Sequence, residues 1–224
     1  MRKIFLIAMA ITCCSTIIAQ SNGCNNNTPG WGTSLGTVSF VSDRTWTIGN
    51  QTWSDAVTTT ACQKQTFNGG NRAYVNNQWS YNFYSDCRSN PGFSGNLFSW
   101  CAVVRFQDQL CPHPWRVPTV QDFVVLDIAL GGTGSLQAVT PRFVIDNYIN
   151  RWGGVFSGVA SESELYDSGT WGHYWSQSGQ TGTNYMFGFS LGFSMRTNLN
   201  NGFGFLHAQY TRVKYQGRML RCVR

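Results

Sequence analysis

Nine residues constrain this chain more than any other stretch: Cys111-Pro112-His113-Pro114-Trp115-Arg116-Val117-Pro118-Thr119. They hold half of the 6 prolines in the sequence. Each proline fixes its own φ and drives the preceding residue toward extended geometry, so the segment is a stiff strap that cannot be helical. A helix has to begin where the strap ends. Thr119 is a natural N-cap, and Asp122 stands three residues on, where a capping box closes. Phe123, Leu126 and Leu130 then recur at helical spacing before Gly131-Gly132 stops the run. These signals predict a helix over residues 119–130. The sequence closes on Arg221-Cys222-Val223-Arg224, a short strand-like run that carries a cysteine.

The opening residues read as an export signal. Met1-Arg2-Lys3 is a positive n-region, Ile4 to Ile11 is an apolar run, and Ala19 is a small residue before a cut at Gln20. The run is too short to cross a bilayer, and no later stretch qualifies as a transmembrane segment. Residues 1–19 are expected to be a signal peptide, 20–35 an N-terminal arm and 36–224 a single domain. A lipidated form would have to use Cys13 or Cys14, and Thr12 and Cys13 are poor residues at the position before a lipidated cysteine. Of the 8 cysteines, those two leave with the leader. Cys24, Cys62, Cys87, Cys101, Cys111 and Cys222 remain, an even set that in an exported chain points to disulfides. Spacing does not choose among the pairings. No pair has Cys-x-x-Cys spacing, and His113, His173 and His207 do not join any of them at finger spacing, so a zinc site is not expected.

Along the chain, Gly36–Val41 alternates as a first strand. Short strand candidates follow at Trp46–Ile48, Tyr74–Val75, Trp79–Phe83 and Leu97–Val104, with Gly, Asn and Pro between them. A second helix is predicted over 141–151, with Thr140 as N-cap and Pro141 at the first helical position. Val144, Tyr148 and Trp152 recur at fourfold spacing, and Gly153-Gly154 is the stop. Tyr185, Phe187, Phe189 and Leu191 then alternate with Met186, Gly188 and Ser190, the pattern of a half-buried strand. Phe203–Leu206, Tyr210–Tyr215 and Arg218–Val223 supply three more strands. Strands, two helices and strands again, joined by long loops, make an α+β domain.

Only 12% of the 224 residues are charged, against roughly 25% in an average soluble domain, while 15% are aromatic and 24 are glycine. This is the balance of an exported, turn-rich fold with an aromatic core. The formal charge is +6, or +4 without Arg2 and Lys3. The basic residues cluster only at Arg212, Lys214, Arg218, Arg221 and Arg224. Such a patch can attract an acidic polysaccharide or nucleic acid, but no nucleic-acid motif accompanies it, and an ordinary solvated strand face is expected. No Gly-x-Ser-x-Gly, His-Glu-x-x-His or phosphate loop occurs, so the chain is not expected to be an enzyme. His113 lies between two prolines and reads as structural. His173 is the best single candidate for a functional histidine, with strand packing as its alternative.

Several motifs together resemble a known family. Cys-Pro-x-x-Trp-Arg-Val-Pro-Thr runs into a helix, Tyr174-Trp175-Ser176-Gln177-Ser178 comes later, and Arg-Cys-Val-Arg ends the chain. Ile48-Gly49-Asn50-Gln51-Thr52-Trp53 and Gly95-Asn96-Leu97-Phe98-Ser99-Trp100 precede them in the same order. This set is similar to the Fibrobacter succinogenes major paralogous domain family of bacterial envelope proteins, over residues 36–224. The resemblance implies a disulfide-stapled, C-type-lectin-like domain with two helices, short antiparallel strands and long loops, but no reaction. It implies a place in the periplasm, on the outer-membrane surface or outside the cell. It favours a Cys111–Cys222 bridge. Cys101 stands where the family commonly has alanine, which suggests Cys87–Cys101 as an added local bridge and leaves Cys24–Cys62.

In that type of fold the loop-rich region after the second helix is the variable face. The candidate ligand-binding residues are therefore Trp171, His173, Tyr174, Asn184, Tyr185, Arg196 and Asn198, with core packing as the alternative for the aromatics. Glu162, Glu164 and Asp167 are the only dense acidic group and could offer calcium three ligands, but the lectin tripeptides that hold calcium are absent. No metal and no cofactor is expected. The formylglycine-generating enzymes have a similar fold and a reactive cysteine pair; here every remaining cysteine has a plausible structural partner. The expectation is an exported, non-enzymatic binding or adhesion module recognising a glycan or an envelope protein. The alternative is a structural or assembly subunit of a larger surface complex.

Overall fold

The computed structural model describes residues 36–60, 62, 74–75, 78–79, 87–136, 138–161, 164–179, 187–195, 203–214 and 216–224. In chain order its elements are β1 (Val38–Phe40), β2 (Trp46–Ile48), β3 (Gln51–Thr59), β4 (Tyr74–Val75), β5 (Gln78–Trp79), β6 (Cys87–Ser89) and β7 (Asn96–Phe98). Helices α1 (Trp100–Arg105), α2 (Gln107–Leu110) and α3 (Val120–Ala129) follow, then β8 (Ala138–Pro141) and α4 (Arg142–Asn150). The remainder is β: β9 (Val159–Ala160), β10 (Leu165–Tyr166), β11 (Trp171–Gly179), β12 (Phe187–Ser194), β13 (Phe203–Val213) and β14 (Arg221–Val223). The class is α+β, rich in antiparallel sheet. The leader, the arm and the Trp79–Phe83 strand beyond Trp79 lie outside the described residues.

Two sheets carry the fold. One runs β1-β3-β14, with β2 also on β3; the other runs β11-β12-β13-β8. The segment Gly217–Leu220 joins them. Arg218 bridges Phe98, Met219 bridges Tyr174, and the Val57 amide donates to the Leu220 carbonyl at 2.9 Å. A larger core, which includes Trp53, Phe123, Leu126, Leu130, Tyr148, Trp152 and Phe193, fills the space between α3, α4 and the sheets. A second core gathers α1, the strap, Trp175 and Leu220.

The helix after the strap forms as its start signals require. The Thr119 hydroxyl accepts from the Asp122 amide, and the Asp122 carboxylate accepts from the Thr119 amide at 2.7 Å. Arg116 grips the same carboxylate with both terminal nitrogens, at 2.6 and 2.7 Å, and Gln51 donates to it at 3.0 Å from β3. The strap is also paired as a strand: Arg116 and Val223 exchange two backbone hydrogen bonds of 2.9 Å. Cys111 and Cys222 are disulfide-bonded beside that pairing.

Four expectations are corrected. The 97–104 strand ends at Phe98, because Ser99 accepts from the Ala102 amide at 3.1 Å and caps α1. A β-branched run there is helical because the cap and its burial outweigh strand propensity. The second helix starts one residue late. Thr140 belongs to β8, and Pro141 with ψ 143° is the N-cap, with no side-chain capping bond. Its apolar face and its stop at Gly153 (φ 70°) stand as read. The two strands read at 203–206 and 210–215 are one, β13. Finally, Cys87 is bonded to Cys62 rather than to Cys101, so Cys24–Cys62 fails as well. The β6–β7 hairpin holds Cys87 beside the end of β3, whereas α1 carries Cys101 into the second core, where it too is disulfide-bonded. Cys24 lies outside the described residues.

Candidate binding pocket on the β11–β13 face

Most of the basic run near the C-terminus is not a solvated face: Arg224 is exposed, Arg212 is half-buried and the other three are buried. Lys214, Arg218 and Arg221 are only 0%, 1% and 2% exposed. Each basic residue of the run lies over an aromatic ring: Arg212 over Tyr210 at 3.2 Å, Lys214 over Trp100 at 4.1 Å, Arg218 over Trp175 at 4.9 Å and Arg224 over Trp115 at 4.5 Å. Arg221 lies between Trp46 and Trp152, at 4.1 and 4.4 Å. The aromatic richness of the chain and its basic C-terminal run are thus one feature, because a ring face attracts a cation that has lost its water.

β11 is buried without alternation from Gly172 to Ser176, since both of its faces are covered. Period-two alternation still sorts its side chains. Tyr174 enters the larger core, 1% exposed, and its hydroxyl accepts from the Val155 amide at 2.9 Å. Its ring packs on Trp152 and Phe193, and it lines not the β11–β13 pocket but a second one of about 490 Å³, with Trp46, Asp55 and Arg221 among others. Trp171, His173 and Trp175 take the other side. Across β12 they oppose Ser194, Gly192 and Ser190, and across β13 those residues oppose Phe205, His207 and Tyr210. Small residues on the middle strand between large ones on its neighbours leave a trough. Its floor is close-packed at Gly192, where a Cβ would lie 3.2 Å from His173 Nδ1 and the ring would have to give slightly.

Around this trough is an open pocket of about 550 Å³, lined by Trp171, His173, Tyr210, Arg212, Gln216 and Arg218 among others. The Trp171 and His173 rings are parallel, 5.6 Å apart at 2°. His207 bridges Trp171 at 5.7 Å and Tyr210 at 4.3 Å. Arg218 lies against the wall. Its Nη1 is 2.7 Å from His173 Nδ1 and 3.4 Å from Ser190 Oγ, its Nη2 donates to Gln216 Oε1 at 2.8 Å, and its Nε has no partner among the described residues. A guanidinium only donates, so His173 Nδ1 accepts and the imidazole proton sits on Nε2.

Burial first, then the charges of Arg218 and Arg212, hold His173 well below the usual histidine range. His207 is pulled down to about 4 by burial and by Arg212. Both histidines are neutral at physiological pH. Burial lowers Arg212 to about 10 and also lowers Arg218, which feels Arg212 as well. Both remain cations. Among the described residues no carboxylate bonds to either guanidinium. Exposed Asp167 lines the same pocket. The chemistry on offer is a fixed positive field beside flat aromatic walls, together with a neutral imidazole whose Nδ1 is already occupied.

Of the residues named from sequence, Trp171 and His173 come together here and Tyr174 does not. Asn184, Tyr185, Arg196 and Asn198 lie outside the described residues. So does Glu162; Glu164 and Asp167 are exposed, and no three metal-ligating side chains converge among the described residues. Sequence reasoning missed Tyr210, Arg212, Gln216 and Arg218. Their signal was present in the small residues alternating through 188–194 and in the basic run, but neither says which strands are neighbours. Searches of protein-family models, curated proteins and solved structures find nothing that matches this chain.

Proposed function

We propose that this protein is an exported, non-enzymatic binding module of the bacterial envelope, with a C-type-lectin-like domain of the Fibrobacter succinogenes major paralogous type. It recognises a glycan or protein ligand on the β11–β13 face. The observation that carries the reading is the pocket itself: preformed, of a volume typical of ligand sites, walled by the Trp171–His173 ring pair and charged by Arg212 and Arg218. Its imidazole is neutral and already bonded to a cation, an arrangement suited to holding a ligand rather than to moving a proton. The disulfides and the absence, among described residues, of any helix long and apolar enough to cross a membrane are compatible with export. A glycan array on the purified protein, repeated with Trp171→Ala, tests the reading. Hits that vanish in the variant while its melting temperature holds support it, and an array without hits for either protein counts against glycan recognition.

A second reading, as an assembly subunit, is favoured by one observation. Ile128, Leu136, Val139 and Phe143, on or near α3, β8 and α4, are each more than half exposed although apolar. β8 is also an edge strand of its sheet, and exposed apolar edges are docking surfaces. Pull-down from envelope extract of one partner in fixed stoichiometry, lost in Phe143→Asp, supports this reading.

A further inference from the structure

We infer that the β11–β13 pocket takes a saccharide unit carrying an acidic substituent, a carboxylate or a sulfate, with the anionic group held by the charges of Arg212 and Arg218 and the sugar ring against Trp171. This rests on the pocket being a binding site. Arg218 carries the argument. It is 1% exposed, yet all its hydrogen-bond partners, His173, Ser190 and Gln216, are neutral. Buried charges are ordinarily paired with an opposite charge, and buried N–H groups ordinarily find an acceptor; Arg218 has a buried Nε without one among the described residues and lines the pocket. Arg212, a second cation, lines the same pocket. A bound anion supplies the missing charge, with a charge-assisted bond, stronger than a neutral one, open to it at half-buried Arg212.

The rest of the pocket suits a sugar better than a peptide. It lies on the face of a sheet in which β12 is paired on both sides, and the outer side of β11 is already bonded to the backbone of Gly158, Met219 and Pro118, so β11 offers no open edge for a peptide backbone to extend. Its walls are rings, and Gln216 adds a polar amide. A sugar ring has an apolar face to lay on an aromatic and hydroxyls to meet an amide.

The test is calorimetric titration of the purified protein with four probes of similar length: a galacturonic acid trisaccharide, a sulfated galactose trisaccharide, the neutral galactose trisaccharide and a glutamate-rich peptide. One or both acidic sugars should bind at least about tenfold more tightly than the neutral one and weaken as salt rises; the two acidic probes distinguish carboxylate from sulfate. Arg212→Gln should bring the ratio of acidic-sugar to neutral-sugar affinity down to near one, whatever it does to neutral-sugar binding itself. Arg212 is half-buried; among the described residues it donates to the Thr211 carbonyl and lies over the Tyr210 ring, and the melting temperature of the variant checks that the fold is kept. Equal binding of neutral and acidic sugars, or an advantage that survives Arg212→Gln, overturns the inference and leaves the binding-module reading standing. Binding of the peptide alone overturns it in the same way. Binding of none of the four overturns the inference, and the array described above then decides the broader reading separately.

Discussion

Arg218 Nη1 lies 2.7 Å from His173 Nδ1, and both side chains are buried against the same sheet face. A cation held this close forbids a second one, so the histidine is neutral by construction. Burial, Arg218, Arg212 and His207 all act on it in the same direction.

This gives the protein an acid-sensitive centre. A histidine depressed in the folded state is protonated more readily when unfolded, so acid favours the unfolded chain. The stability tied to His173 and His207 is fully present above the ordinary value of 6.5 and is lost as pH falls toward about 4, where His207 titrates. The melting temperature should fall between pH 7 and pH 5. His173→Gln, which keeps an acceptor but cannot take up a proton, should flatten part of that slope. A curve as steep as that of the parent protein would exclude His173 as a source.

Arg221 ties the β1-β3-β14 sheet to the chain just after α4 from inside. It stacks between Trp46 and Trp152 and donates to the Ser54 carbonyl at 2.6 Å and to that of Trp152. Arg221→Ala leaves buried carbonyls without donors and two rings without their filling, and should cost about 3–5 kcal/mol in urea unfolding. Arg221→Lys should recover little of it, because an ammonium neither stacks nor forks as a planar guanidinium does.

The Cys111–Cys222 bridge closes a loop of 111 residues in separation. Loop-closure entropy assigns such a crosslink about 4–5 kcal/mol. Cys111→Ser with Cys222→Ser should shift the denaturation midpoint by that order, and reduction of the parent protein should reproduce most of the shift. A loss below about 1 kcal/mol would mean that the Arg116–Val223 pairing holds the strap without the crosslink.

Asp122 is a junction rather than a cap alone. Burial raises its carboxyl pKa, but the bonds from Arg116 and Thr119 outweigh this and leave it below the usual range. Thr119→Ala should cost about 1 kcal/mol. Asp122→Asn, which loosens the grip of Arg116 as well as the box, should cost about 2 kcal/mol. A pair of variants ranked the other way in thermal unfolding would contradict this.

The α3 helix was legible because everything that starts it lies within five residues: prolines that forbid helix before it, and a cap that satisfies its first amides. The face of α4 was legible for the same local reason. The Leu97–Val104 error has a local cause too, since β-branched residues vote for strand unless a cap such as Ser99 and burial overrule them.

Most of the candidate site was not legible. Trp171 and His173 stood out by composition, but Tyr174 sits between neighbours with the same aromatic character, and only the register of β11 on β12 decides which way each points. Arg218 read as a surface residue because nothing next to it in sequence is a ring or a histidine. Its partners are 28 and 45 residues away, at Ser190 and His173.

Local chemistry along the chain therefore determined where α3 starts and stops, which residues of α4 face inward, and that cysteines would staple an α+β body, because caps, proline geometry and helical period act within a few residues. Tertiary structure alone decided which cysteine Cys87 joins, that Lys214, Arg218 and Arg221 are buried against rings, and that a neutral histidine and an arginine without a carboxylate partner among the described residues share one pocket. Those outcomes depend on strand register and on the Gly217–Leu220 seam, contacts whose partners lie dozens of residues apart and are fixed only when the whole core closes.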